Sequence, residues 1–154
     1  MIWIKRRLRL LPDTFCRFPF RPLDVNTLDN RVTLYERVGG ANGIRGIIDR
    51  FYARVFVDPK LKPYFIGVPT DKLRHMQSEF FSAALGGPVH YSGRTIVQAH
   101  QGRKITRLDL QAFVEHLFET LKEHALDDED RYAIIARINT YADEVISGGV
   151  GLDT

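Results

Sequence analysis

A chain of 154 residues, 44% hydrophobic and 27% charged, is long enough for one buried core and too short for two. A single cysteine, Cys16, excludes an internal disulfide framework and points to a reducing, cytoplasmic setting. The net charge of +3 misleads: residues 1–22 hold six basic residues and one acid, and the remainder holds 16 basic and 18 acidic residues. The basicity therefore belongs to the N-terminus, and nucleic acid is not an expected partner.

Residues 1–32 differ in kind from the rest of the chain. Met1 to Leu11 mixes bulky apolar and cationic residues, and Pro12, Pro19 and Pro22 then prevent a long helix. No secretory signal is recognisable, and no apolar run reaches the roughly eighteen residues that a spanning helix needs. The stretch is expected to be a disordered extension or the product of a start codon placed too early, with membrane contact through residues 1–11 as the alternative. A domain is expected over 33–148 and a short tail over 149–154.

The domain's patterns are all helical. Thr33-Leu34-Tyr35-Glu36 has the form of a capping box, with Gly39-Gly40 as the stop. Ile44, Ile47, Ile48, Phe51 and Val55 recur at helical spacing, and Tyr52 sits at the edge of that stripe, its hydroxyl expected at a pocket rim. Pro59 and Pro63 bracket an irregular connection ending in Tyr64-Phe65. Thr70 or Asp71 can cap the next helix, whose face carries Leu73, Met76, Phe80, Phe81 and Ala84 together with Gln77. Gly86-Gly87-Pro88 ends it, and a turn-rich loop leads to His100, in a stretch too poorly periodic for a long helix. Thr106 to Asp109 is a further capping box, before Leu110, Phe113, Val114, Leu117, Phe118 and Leu121. A last helix from Asp127 or Asp128 carries Ile134, Ile135, Ile138, Tyr141, Ala142 and Val145 up to Gly148-Gly149. The fold class is all-α, with about five helices.

Among the five histidines, His75 and His116 fall on polar helix sides and are expected to be solvated. His124 is near a helix C-terminus, where a partly cationic ring is favoured. None shows zinc-ligand spacing. His100 gains interest from its surroundings, since a haem needs one axial nitrogen and an apolar slot between helices. Gln77 is the second anomaly. An amide on a buried face is costly unless bonded, so it meets either a backbone carbonyl, a buried water or a ligand.

From about Thr33 to Ser147 the chain resembles the truncated haemoglobins, specifically their first, N-type group. The likeness is carried by Leu34-Tyr35-Glu36 with Gly39-Gly40, Phe51-Tyr52-Ala53-Arg54-Val55, Asp58-Pro59 and Tyr64-Phe65. It continues through Gln77 to Phe81, Ala83 to Pro88, Ala99-His100-Gln101-Gly102-Arg103 and Ile105-Thr106. The resemblance implies a two-over-two helical sandwich around haem b. It makes His100 the proximal iron ligand, Tyr52 and Gln77 the distal pair donating to a bound gas, and Phe65 the ring wedged against the porphyrin. Leu73 would sit above the iron, Phe81 on an apolar gas tunnel, and Met76 with them would keep water out. The second nitrogen of His100 is expected to donate to a backbone carbonyl. Met76 stands where some relatives place an iron-binding histidine, and a propionate-binding lysine is missing there too. Arg74, Arg94, Arg103 and Lys104 remain candidates for that carboxylate.

The ligands implied are oxygen, nitric oxide and carbon monoxide. Three functions compete: reversible oxygen storage, transport or sensing; nitric oxide dioxygenation or peroxidase-like turnover with an external reductase; and a cofactor-free helical interaction module. A donor-rich pocket favours tight oxygen binding, which suits dioxygenation better than delivery.

Overall fold

The computed structural model describes residues 32–149, and every regular element among them is helical. The expectations for the extension before Val32 and the tail after Gly149 lie outside the described residues. Thr33 opens α1 (Leu34–Arg37) through the reciprocal box its spacing predicts. The Glu36 amide donates to the Thr33 hydroxyl at 3.2 Å, and the Glu36 carboxylate accepts from the Thr33 amide at 2.7 Å. Two donors that a helix start leaves open are thereby satisfied. Gly39 (φ +93°) and Gly40 (φ +64°) turn the chain into α2 (Gly40–Val55) through left-handed backbone that side chains resist. The predicted apolar stripe of α2 is wholly interior, from Ile44 to Val55, with none of its five members above 2% exposed.

A turn around Asp58 leads to a short 3-10 helix, Lys62–Phe65, with Pro63 in its first turn. In α3 (Thr70–Ala84) the N-cap is Pro69, with no side-chain cap bond. This corrects the expected capping by Thr70 or Asp71. Both lie one or two residues inside the helix, where a side chain no longer reaches back to the open amides, and Asp71 is left to complement the dipole. His100 ends α4 (Ile96–His100), a five-residue helix with its own box between Thr95 and Gln98, each bond 3.2 Å. Thr106 and Asp109 cap α5 (Arg107–Lys122) as their spacing predicts.

The single last helix read from the sequence is corrected to two, α6 (Asp128–Asn139) and α7 (Ala142–Gly149). Thr140 turns its hydroxyl onto the Arg137 carbonyl at 2.7 Å, while the Tyr141 amide reaches the Ile138 carbonyl at 3.1 Å, one residue short of α-helical spacing. The break frees α7 to pack against α4. Seven α-helices thus replace the expected five among the described residues.

Packing follows from these faces. α2 packs on α3 and on α5, and α5 packs on α6, so two helical pairs share one core. Phe51, Leu117, Leu121 and Ile134 lie at its centre. α1 is tied to α6 by an ion pair from Arg37 to the largely buried Asp130. No described helix is long and apolar enough to cross a membrane.

The approach of α1 to α2 depends on Gly43, where an added Cβ would fall 1.6 Å from the Val38 carbonyl oxygen. That neighbour is backbone and cannot rotate aside. Gly43→Ala is expected to destabilise the fold by about 3 kcal/mol, the upper end of overpacking costs. Gly67→Ala, strained only by its φ of +76° in open space, should cost about 1–2 kcal/mol. Urea unfolding of the two variants side by side checks the order.

Candidate functional site

Between α2, α3, α4, α5 and α7 lies an open-mouthed cleft of about 170 Å³. Its walls are mostly apolar, with Leu61, Val68, Ile105, Leu110, Phe113 and Val145 contributing alongside Phe65 and Leu73. Polar groups enter at few points, and the sequence had singled out four of these: His100, Tyr52, Gln77 and Arg103.

The His100 side chain is fixed within its own helix. Its Nδ1 lies 2.7 Å from the Ile96 carbonyl oxygen, one turn back. A carbonyl can only accept, so the proton sits on Nδ1 and the Nε2 lone pair is left free. Burial holds the imidazole below its usual pKa, with the Arg103 charge adding to that and the Ile96 bond opposing it. A neutral ring with one unengaged nitrogen at an apolar cavity is the chemistry an axial haem ligand requires.

Tyr52 is only 1% exposed, its ring packed in the core while the residue lines the cavity wall. Phe51, Phe56 and Phe65 surround it, with ring centroids at 5.1, 5.3 and 5.8 Å. Burial pushes its pKa up, so the phenol keeps its proton and remains a donor. Neither the Tyr52 hydroxyl nor the Gln77 amide makes a hydrogen bond to another described residue, although both line the cavity. Two polar groups without a described protein partner on an apolar wall suit a polar ligand in the cavity.

Two sequence-derived candidates lie elsewhere. Met76 is not on the cavity wall: its ε-methyl packs at Gly93, where a Cβ would come within 2.3 Å of it. Phe81 is buried in the core, its ring centroid 6.1 Å from that of Phe80. Among the cationic candidates, Arg103 alone lines the cavity. Arg74 pairs with Asp49 at 3.3 Å, and Arg94 and Lys104 are exposed.

Two histidine expectations are corrected. His116 is not simply solvated, for its Nε2 lies 2.6 Å from the Asp58 carboxylate and helps hold the turn after α2. His124 is pushed toward the neutral form by burial and then by Arg50, with Glu123 opposing them. Sequence reasoning also left out Tyr64 and Asp109 as partners. Their side chains meet at 2.7 Å on the cavity wall, 45 residues apart in sequence, a pairing with no local signature.

The residues present fit a haem: an apolar cleft, one imidazole with a free nitrogen, and two unengaged donors. Comparison with known proteins agrees. The family model described as bacterial-like globin matches residues 33–147. The group 1 truncated hemoglobin GlbN of Mycolicibacterium paratuberculosis is 35% identical over 119 residues, covering 77% of this chain and 88% of that relative. The crystal structure of truncated hemoglobin from Tetrahymena pyriformis in its Fe(III) form superposes with a TM-score of 0.72 at 30% identity, covering 75% of this chain and 98% of that one. The 2/2 hemoglobin from Synechococcus sp. PCC 7002, in the cyanomet state with covalently attached heme, gives a TM-score of 0.71 at 25% identity over 75% of this chain and 98% of that one.

Proposed function

The chain belongs to the bacterial-like globin family, as a group 1 truncated haemoglobin, and from that premise we propose a high-affinity oxygen binder that supports nitric oxide dioxygenation. Family membership makes it a haem-iron globin that binds oxygen and other diatomic gases. The finer reading assigns haem b to the cleft, His100 to the iron, and Tyr52 with Gln77 to the gas. One observation carries it. A single cavity holds an imidazole with a free Nε2 and two donors with no partner among the described residues.

Haem, when bound, supplies the ferrous iron at which a diatomic gas is taken up. His100 offers the Nε2 lone pair, and the bond from Nδ1 to Ile96 fixes the ring's tautomer and raises its basicity. With haem bound, Tyr52 would donate a hydrogen bond to the ligand's electron-rich end, and Gln77 would add a second. In a dry pocket such bonds are strengthened. Phe65 and Leu73 keep water from the same space. Donors of this kind slow oxygen release, which suits consumption of the gas better than its delivery. Nitric oxide, dioxygen and one electron yield nitrate, and the electron must come from an external reductase. Carbon monoxide, less polar when bound, gains less from the same donors.

Met76 is held at Gly93, so the distal position should carry no protein ligand. Ferrous protein is expected to give a five-coordinate absorption spectrum that Met76→Leu leaves unaltered, while His100→Ala should abolish normal haem absorbance and gas affinity. A His100→Ala protein with undisturbed spectrum and affinity would refute the iron assignment.

Tyr52→Phe or Gln77→Ala should each raise the oxygen off-rate at least about tenfold, as loss of one bond to a charge-bearing partner implies. Stopped-flow mixing of the oxygen-loaded protein with nitric oxide should give fast, stoichiometric nitrate that slows greatly in Tyr52→Phe. Unchanged oxygen release in both variants would overturn the distal assignment. Slow nitrate formation by the native protein would favour reversible oxygen carriage.

A further inference from the structure

Every residue lining the cleft is buried or half-buried except Arg103, which is exposed. Its side chain thus reaches from the cleft's lining to the surface, and two bonds hold it there. Arg103 donates from Nη1 to the Tyr64 carbonyl at 2.8 Å, and from Nε to the Ala99 carbonyl at 3.3 Å. These link the 3-10 helix that carries Phe65 to the helix that carries His100. On the other side the Tyr64 hydroxyl donates to Asp109 Oδ2 at 2.7 Å, linking the same 3-10 helix to the start of α5.

Each end of this chain of bonds is independently held. Asp109 Oδ2 also accepts from the Thr106 amide at 3.0 Å and hydroxyl at 2.6 Å. Arg103 is set by a tight reversal after His100, with Gly102 at φ +75° and Lys104 at φ +53°, and its amide donates to the His100 carbonyl at 3.2 Å. The α5 capping box is complete without Tyr64, so helix formation does not call for the phenol's bond. A tyrosine at a solvent-facing edge would ordinarily donate its hydrogen bond to water. Here it is committed to a carboxylate, and its own carbonyl to a guanidinium.

We propose that Arg103, Tyr64 and Asp109 form a clasp across the mouth over which haem enters and leaves, and that the clasp sets how slowly haem is lost. This rests on haem occupying the cleft. Tyr64 is shared by both bonds, so breaking either one frees the segment bearing Phe65. A rigid porphyrin cannot pass while both bonds hold.

The test is haem transfer from the ferric full-length protein to excess apomyoglobin, in the native chain, Tyr64→Phe, Arg103→Met and the double variant. Arg94→Met, which removes an equal charge from an exposed site, is the control. Each clasp substitution should hasten transfer about tenfold, the loss of one charge-assisted bond. The double variant should be little faster than either single one, because the two bonds share a residue. Arg94→Met should match the native rate. Clasp variants that lose haem at the native rate would overturn the proposal. So would a fall in apoprotein urea stability that accounts for the faster loss, since that marks a merely structural role. A native protein that takes up no haem would instead overturn the reading of the cleft itself.

Discussion

Much of the site depends on a bond inside one helical turn, from His100 Nδ1 to the Ile96 carbonyl at 2.7 Å. It fixes which ring nitrogen carries the proton, and hence which can bind a metal. Yet a five-residue helix is too short to persist on its own, because nucleation costs exceed what one or two backbone bonds return. α4 survives because Thr95 and Gln98 close its start and because α7 packs along it. The break at Thr140 is therefore tied to the site: a continuous last helix could not direct its final turns across α4.

The same cleft imposes a cost on the fold. Tyr52 and Gln77 face it with no partner among the described residues, and their polar groups stand at an apolar wall instead of in bulk water. The surroundings offset this. Tyr52 shares α2 with five interior apolar residues and is ringed by Phe51, Phe56, Phe65 and Phe113. Burial that stabilises the helix also keeps the phenol protonated, so packing and donor chemistry come from the same placement.

How much the sequence revealed depends on the range of each interaction. Capping boxes at Thr33 and Thr106 span three residues and were legible, as was the α2 stripe, which is periodic along one helix. The box at Thr95 has the same form but was hidden by the poor periodicity after it. Long-range features left no trace: Tyr64 meets Asp109 across 45 residues, His116 meets Asp58 across 58, and Arg103 meets Tyr64 across 39. Met76 and Gln77 illustrate the limit within a helix. Adjacent residues differ by about 100°, so a broad apolar face held both, and only the packing of the loop at Gly93 drew Met76 away. His100 itself became a candidate through residues spread over the whole domain, whose joint pattern resembled a known family. Its own neighbourhood would not have sufficed.

The cleft's residues stand on two kinds of support. Tyr52 and Gln77 stand on helices of 16 and 15 residues, whose positions are set by the main core. His100 stands on a helix of five, Tyr64 and Phe65 on a 3-10 helix of four, and Val145 on a helix of eight. Short elements draw their stability from tertiary contacts and open at lower cost than long ones. Movement at the mouth can therefore occur while the two donors keep their places. The fold separates the part of the cleft that must be accurate from the part that must open. A cleft built wholly on long helices would hold its donors as well but would give a large planar cofactor no inexpensive way in.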